Sequence, residues 1–167
     1  MPTVALSSSD PATLSADALV IGAVSVDGTA TLLRGHGLPR SAAAHLKSAL
    51  ETIGATAKAE EVSTFVAVPG IEAKRVLVVG LGTGTPSTAP TDPEVLRRAA
   101  GAAARTLKKE AKVVIALPTA SAEGVSAVAE GAYAGGYDVR RLTAKEAPTA
   151  RIGTITVATS VDDAGLA

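Results

Sequence analysis

The stretch RVLVVGLGTGTP, Arg75 to Pro86, decides the fold. Val76 to Val79 is apolar at every position, the pattern of a parallel strand covered on both faces. Glycines at 80, 82 and 84 follow, so the run resembles the opening of a dinucleotide fingerprint. That fingerprint, G-x-G-x-x-G, needs its third glycine at position 85, which holds Thr85. It also needs a helix to begin at once, so that free N–H groups and the positive end of the helix dipole meet a pyrophosphate. Pro86-Ser87-Thr88-Ala89-Pro90-Thr91 intervenes instead, and the next helix signal is Asp92-Pro93-Glu94. The stretch therefore reads as a central strand running into a flexible turn at Gly80 to Gly84.

Working outward, Val62 to Val68 alternates as a strand, and Pro69-Gly70 turns the chain toward Val76. Asp92, Pro93 and Glu94 supply an N-cap, a first helical proline and a first-turn carboxylate. Leu96, Ala100, Ala103 and Leu107 then line an apolar stripe, with Arg97, Arg98, Arg105, Lys108 and Lys109 away from it. The two lysines suit the negative end of the helix. Val113 to Leu117, stopped by Pro118, is a buried strand, Ser121 to about Tyr137 a helix, and Ile152 to Ala158 a last strand.

Upstream, Val4 to Leu6 and Ala18 to Val24 are strands, Asp27-Gly28 is a turn, and Arg34 to Pro39 is a loop. Ser41 is expected to cap a helix with Ala42, Leu46, Ala49, Leu50 and Ile53 on one face, ended by Gly54. Strands separated by helices at this spacing predict βαβ crossovers. The expected class is α/β, with a mixed, mainly parallel sheet between helical layers.

A chain of 167 residues is one domain by size, long enough to bury roughly 70 % of its unfolded surface. With 47 % hydrophobic residues, 19 % charged residues and no cysteine, disorder, a disulfide scaffold, thiolate catalysis and Cys-ligated metals are excluded. Sixteen basic residues balance sixteen acidic ones, so no overall field draws nucleic acid or an anionic membrane. Phe65, Tyr133 and Tyr137 are the only aromatics, too few for base stacking. No cation precedes Arg34, while Asp10 and Asp17 interrupt the start, which is wrong for a signal peptide. The longest apolar run, Ala18 to Val24, is far short of the ~20 residues of a membrane helix. A cytoplasmic location, with neither membrane nor nucleic-acid partner, is expected.

Motifs for chemistry are sparse. His36 sits in a Gly-rich loop and His45 on the first helix, without an H-E-x-x-H or a histidine cluster to make zinc ligands. The G-x-S-x-G nucleophile elbow is absent. Glu123 and Glu130 are seven residues apart on one helix, about 10 Å along its axis, and read as a solvated face. Glu60-Glu61 and Asp162-Asp163 are the paired acids. Arg34 and Lys74-Arg75 flank loops and could meet an anion. The Gly80 to Gly84 loop is the leading pocket candidate, because open α/β sheets bind ligands beyond the carboxyl ends of their strands.

RVLVVGLGTG at 75–84, EVLRRAAGAAARTLKK at 94–109 and VAEGAYAGGYDVRRLTAK at 128–145 lie in an order that resembles the N-terminal domain of the leucyl aminopeptidase family, also called cytosol aminopeptidase. In the third stretch Glu130, Gly131, Tyr137 and Arg141 fit the family pattern. Thr83 stands where the family often has lysine, and Val139 where it usually has an aromatic.

The resemblance implies a macro-domain-like fold over residues 1–160. It implies that 161–167 begin a linker to a separate C-terminal catalytic domain holding two divalent metals, zinc or manganese. Ala-Glu-Gly occurs at 122–124 and 129–131, yet Glu123 and Glu130 lack the Asn-Thr-Asp before and the Arg-Leu after that mark the family's metal motif. No catalytic, cofactor-binding or metal-binding residue is therefore expected in this chain. The implied role is architectural, shaping active-site access and packing in a homo-hexamer whose parent enzyme removes unsubstituted N-terminal residues, leucine favoured. The alternative is a free-standing macro-type module binding ADP-ribose or a related phosphate ligand, with Asp17 the candidate for the acid that would recognise adenine-ribose.

Overall fold

The computed structural model describes residues 3–88, 90, 92–107, 110–119, 121–136 and 152–160. The expectations for Lys108, Lys109, Tyr137, Val139, Arg141, Asp162, Asp163 and the linker at 161–167 lie outside these. In chain order the elements are β1 (Thr3–Ser7), β2 (Ala18–Val26), β3 (Thr29–Leu32), α1 (Arg40–Thr52), β4 (Val62–Val66) and β5 (Arg75–Thr83). They continue with α2 (Pro93–Thr106), β6 (Glu110–Ala116), α3 (Ala122–Gly136) and β7 (Ile152–Ala158), and a 3-10 turn at Pro11–Thr13 joins β1 to β2.

The strands form one seven-stranded sheet in the order β1-β7-β6-β2-β5-β4, with β3 paired to the far half of β2. Every pairing between β1, β7, β6, β2 and β5 is parallel, and β4 and β3 join antiparallel. This is the expected mixed, mainly parallel sheet. Successive residues of each strand feed opposite faces. On one face Val20, Leu77, Val79, Ile115 and Ile155 pack with Leu96, Ala100 and Ala103 of α2 and Val125 and Val128 of α3. On the other, Leu19, Ile21, Val76, Val78 and Val114 pack with Ala42, Leu46 and Leu50 of α1. Small residues bring α2 and α3 together closely: a Cβ at Gly131 would overlap the Arg97 carbonyl oxygen.

The signals at the start of α2 act as read, since Asp92 accepts the Glu94 N–H at 2.9 Å. At α1 the expectation fails. The N-cap is Pro39, which has no side-chain hydrogen bond to give, and its carbonyl accepts the Ala43 N–H at 3.0 Å, leaving Ser41 exposed inside the first turn. Gly54, at φ +65°, ends the helix as expected, but Ile53 is 57 % exposed rather than on the apolar face.

The deciding stretch also departs from its reading. β5 does not stop at Val79 but runs through Gly80 and Gly82 to Thr83. A Cβ at Gly80 would overlap the Lys58 carbonyl oxygen and stand 2.6 Å from the Ala57 carbonyl carbon. The chain at 57–61 lies directly on the strand, where Gly80 N–H donates to Glu61 O at 2.7 Å and Glu60 N–H to Gly80 O at 2.9 Å. Between the Ala23–Gly80 and Ser25–Thr83 pairs β5 carries one residue more than β2, a bulge with Gly82 at φ +87°. The glycines serve a close contact and a bulge inside the strand, not a flexible turn.

Candidate functional site

β2 changes neighbour along its length. Ala18 to Ile21 pair with Val113 to Ala116 of β6, whereas from Ala23 onward the same edge pairs with β3. Gly22 lies at the junction, its carbonyl accepting the Leu33 N–H at 3.2 Å, and past Ala116 the chain of β6 leaves β2. The connection after β2 leads to α1 on one face, and that after β6 to α3 on the other. Divergence of this kind opens a crevice at the carboxyl ends of adjacent parallel strands. Here the cavity measures about 360 Å³, within the range of small-molecule sites.

Its floor is apolar, made by Gly22, Leu33, Ala116 and Leu117. Residue 22 keeps the floor open, because a Cβ there would stand 3.0 to 3.3 Å from the side chains of Leu81, Leu33 and Leu117. The rim is polar and comes from four loops: Ser8-Ser9-Asp10 after β1, Arg34 to Gly37 after β3, Thr119 after β6, and Thr159 and Ser160 after β7. Thr159 Oγ1 donates to Thr119 O at 3.3 Å and Thr159 N–H to Ser7 O at 2.9 Å, fixing those loops to one another.

His36 is half-buried, and its Nδ1 accepts the Leu38 N–H at 3.0 Å. The neutral ring therefore carries its hydrogen on Nε2. Burial pushes the imidazole pKa below its ordinary value. Asp10 Oδ1 accepts the Ala12 N–H at 3.0 Å, capping the 3-10 turn. Arg34 donates its backbone N–H to Pro86 O at 2.7 Å, and its exposed side chain has no ion pair among the described residues. His36 makes no hydrogen bond to a serine or threonine hydroxyl among the described residues, so the crevice holds no activated nucleophile of that kind. Nor do the described residues contain a group of three or more His, Cys, Asp or Glu able to hold a metal ion. What the crevice offers is a polar rim over an apolar floor.

Few of the residues singled out in the sequence come together here. Gly80 is sealed beneath Lys58, and a Cβ at Gly84 would stand 3.2 Å from Val24, so the glycine stretch lines no part of this crevice. Asp17 lies at the opposite, amino-terminal end of the sheet. It accepts from Lys74 Nζ at 2.6 Å and from the N–H groups of Ala111 and Lys112 at 2.9 and 3.0 Å. Lys74 is thereby occupied, and Arg75 meets the buried Glu110 carboxylate at 3.1 Å. Of the candidate anion-binding cations, Arg34 alone reaches the crevice.

His45 and Glu123 are exposed on their helices, and Glu130 accepts from Arg97 Nε at 3.1 Å, as a solvated face would. Asp10, and not Asp17, is the carboxylate that lines the crevice. The signal was available in Ser9-Asp10-Pro11, which reads equally well as a strand terminator.

The sequence matches the profile of the cytosol aminopeptidase family, N-terminal domain, over residues 20–161. A probable cytosol aminopeptidase of Streptomyces coelicolor is 40 % identical over 154 residues, covering 90 % of this chain and 30 % of that protein. Another, from Streptomyces griseus, is 41 % identical over 138 residues, covering 82 % and 27 %. The chain thus spans under a third of the length of these relatives. Among solved structures, a mutant of tomato leucine aminopeptidase aligns over 95 % of this chain and 32 % of its own, at TM-score 0.63 and 16 % identity. The macrodomain of Mycobacterium tuberculosis DarG aligns over 96 % of this chain and all of its own, at TM-score 0.62 and 13 % identity. At such identities these likenesses are of fold, which is α/β and macro-like. With the profile spanning most of its length, the chain belongs to the cytosol aminopeptidase family, as its N-terminal domain.

Proposed function

We propose that this domain is a non-catalytic, architectural part of a cytoplasmic leucyl aminopeptidase, shaping access to the active site and packing between subunits of a homo-hexamer. The observation that carries the reading is the family match over residues 20–161 in a chain that spans under a third of its relatives. Residues 1–160 form the module and 161–167 begin the linker to the catalytic domain. The parent enzyme removes unsubstituted N-terminal residues, leucine favoured, with two divalent metals, zinc or manganese, held in that domain. The described residues of this chain do not fit such a centre, having no ligand cluster, and no step of hydrolysis is assigned to them.

Two measurements test this. The 167-residue chain, incubated with leucine-p-nitroanilide and added manganese or zinc, is expected to show no turnover above a heat-killed control. The full-length gene product is expected to be hexameric by light scattering, and deletion of residues 1–160 to change both its assembly and its kinetics. Turnover by the chain alone, or a deletion that leaves hexamer and kinetics intact, would overturn the proposal.

A further inference from the structure

We infer that the crevice at the fork of β2 and β6 binds a free α-amino acid with an apolar side chain, the ammonium at Asp10, the carboxylate at the Arg34–Gly37 loop and the side chain on the floor. Binding rests on the crevice alone; only its reading as capture of the parent enzyme's product rests on the function proposed above. Opposite demands lie side by side on the rim. The Arg34 guanidinium has no carboxylate partner among the described residues, and the backbone N–H groups of Gly35 and Gly37 have no hydrogen-bond acceptor among them. Gly35 and Gly37 have φ of +79° and +66°, and amides in such left-handed turns form concave sites that capture a carboxylate. Against this same loop stands a carboxylate of the protein, because Asp10 Oδ1 lies 3.5 Å from the position that a Cβ at Gly37 would take. Asp10 Oδ1 accepts the Ala12 N–H at 3.0 Å. No cation among the described residues pairs with Asp10, and its other oxygen is left to accept.

Neighbouring groups of opposite sign select the charge pattern of the ligand. A phosphate or a plain carboxylate at the loop would be repelled by Asp10 beside it, and an amine alone would face the Arg34 guanidinium. An α-amino acid carries its ammonium and carboxylate on one carbon, so a single head group answers both. A guanidinium takes such a carboxylate through two parallel hydrogen bonds. The first residue of a peptide keeps the ammonium but has a neutral amide in place of the carboxylate, which leaves Arg34 unanswered. Beneath the rim, Leu33, Ala116 and Leu117 form an apolar floor, which favours an aliphatic side chain over none, since its transfer out of water is favourable. The volume of about 360 Å³ lies near the lower limit for small-molecule sites, which suits one amino acid better than a peptide.

The test uses the 167-residue chain, isotopically labelled for amide NMR and titrated in parallel by calorimetry. The probes are L-leucine, L-leucinamide, which lacks the carboxylate, 4-methylpentanoate, which lacks the ammonium, glycine, which lacks the side chain, and AMP. Leucine is expected to bind with a Kd of about 1 mM or tighter, and each of the other four at least roughly tenfold more weakly. Amide shifts with leucine are expected at residues 8–10, 34–37 and 116–117. Arg34→Ala should weaken leucine at least about fivefold and leave leucinamide unchanged. Asp10→Asn, which keeps the capping oxygen, should weaken leucine by a similar factor yet tighten 4-methylpentanoate, because it removes the repulsion. Lys47→Ala, which deletes a cation on the exposed face of α1, should leave leucine binding unaltered.

No saturation by leucine at about 20 mM would overturn the inference. So would shifts centred elsewhere, an equal loss in Lys47→Ala, or leucinamide, 4-methylpentanoate or glycine binding as tightly as leucine. AMP binding more tightly than leucine would overturn it too, by showing that the rim answers an anion and not a zwitterion. None of these outcomes bears on turnover or on the assembly of the full-length protein, so this inference and the architectural reading fail separately.

Discussion

At the amino ends of β2, β5 and β6, Asp17 accepts from Lys74 Nζ at 2.6 Å and from two backbone N–H groups of β6, while Glu110 meets Arg75 at 3.1 Å. At the carboxyl ends of the same strands the charged groups are differently placed: among the described residues Arg34 has no carboxylate partner, and the Gly35 and Gly37 amides have no acceptor. The amino-terminal cluster includes strand residues and the buried Glu110 carboxylate, whereas the carboxyl-end groups come from loops. The difference is that at one end the polar groups satisfy each other across three strands, and at the other they are arranged around a cavity. A charge answered by the protein's own charge holds the fold. A charge left unanswered beside a cavity is free to meet a ligand, and its removal should leave the fold undisturbed.

The contrast can be broken first at Gly80, which lies toward the carboxyl end yet is closed over by the backbone of Ala57 and Lys58. Gly80→Ala forces that backbone off the strand, because the overlapping atoms are main-chain and cannot rotate away. It should cost about 3 kcal/mol or more by chemical denaturation. A cost below about 1 kcal/mol would mean that the segment over β5 is loosely held and that the open region extends beyond the β2–β6 fork.

Next come the strands that both ends share. Val78 and Ile115 are buried on β5 and β6, either side of β2 and on opposite faces of the sheet. Cutting either to alanine should cost about 1 to 4 kcal/mol, with Ile115 the larger because it loses one more carbon, a methylene. Thr83→Ala, at the exposed end of β5, should cost less than about 0.5 kcal/mol. Urea curves ranking Thr83 above the other two would show that the strands are misplaced.

How far the sequence could be read follows from how local each signal is. The start of α2 was legible because Asp92, Pro93 and Glu94 act within one turn, and its stripe because the period of 3.6 needs no knowledge of the partner. The run Val76 to Val79 likewise declared a buried strand. The end of β5 was not legible, since glycine is the residue of turns and of close contacts alike, and only the returning chain at 57–61 decides between them. β3 was missed because Thr29 to Leu32 is too short for a period-2 pattern to rise above its surroundings.

The crevice was foreseen in kind, at the carboxyl ends of parallel strands, but attached to the wrong strand. Its position depends on where β3 replaces β6 beside β2, which is a matter of pairing. Asp10 and Asp17 show the same limit: both carboxylates flank early strands, and the fold alone sends them to opposite ends of the sheet.

The amino-terminal end can be sharpened by pH. The Lys74 ammonium first, and then the Lys112 N–H, hold the Asp17 carboxyl below its ordinary value. The folded protein therefore binds this proton less readily than the unfolded chain. The resulting stabilisation is fully present above the unfolded value of about 3.9 and is lost as pH falls through the folded one. Lys74 is 77 % exposed and Asp17 23 %, so solvent screens the pair and Asp17→Asn should cost only about 1 kcal/mol at neutral pH. The gap between wild type and variant should close in acid. A gap that stays constant from neutral pH to below the folded value would show that packing, not charge, holds this end together.

The smallest expected effect is at Arg34, and it bears most directly on the contrast between the two ends. Its one hydrogen bond among the described residues is the backbone N–H to Pro86 O at 2.7 Å, which any residue but proline can make. The side chain is exposed and has no ion pair among those residues, so Arg34→Ala removes nothing from the folded state beyond what it removes from the unfolded one. Stability should change by less than about 0.5 kcal/mol, with the denaturant slope unaltered because the surface exposed on unfolding is the same. Lys74→Ala is the matched control: it too deletes one exposed cation, but it strips Asp17 of its only side-chain donor among the described residues and should cost measurably more. If instead Arg34→Ala proved the more destabilising of the two, the guanidinium would be holding the loop, and its lack of a partner would no longer mark a place for a ligand.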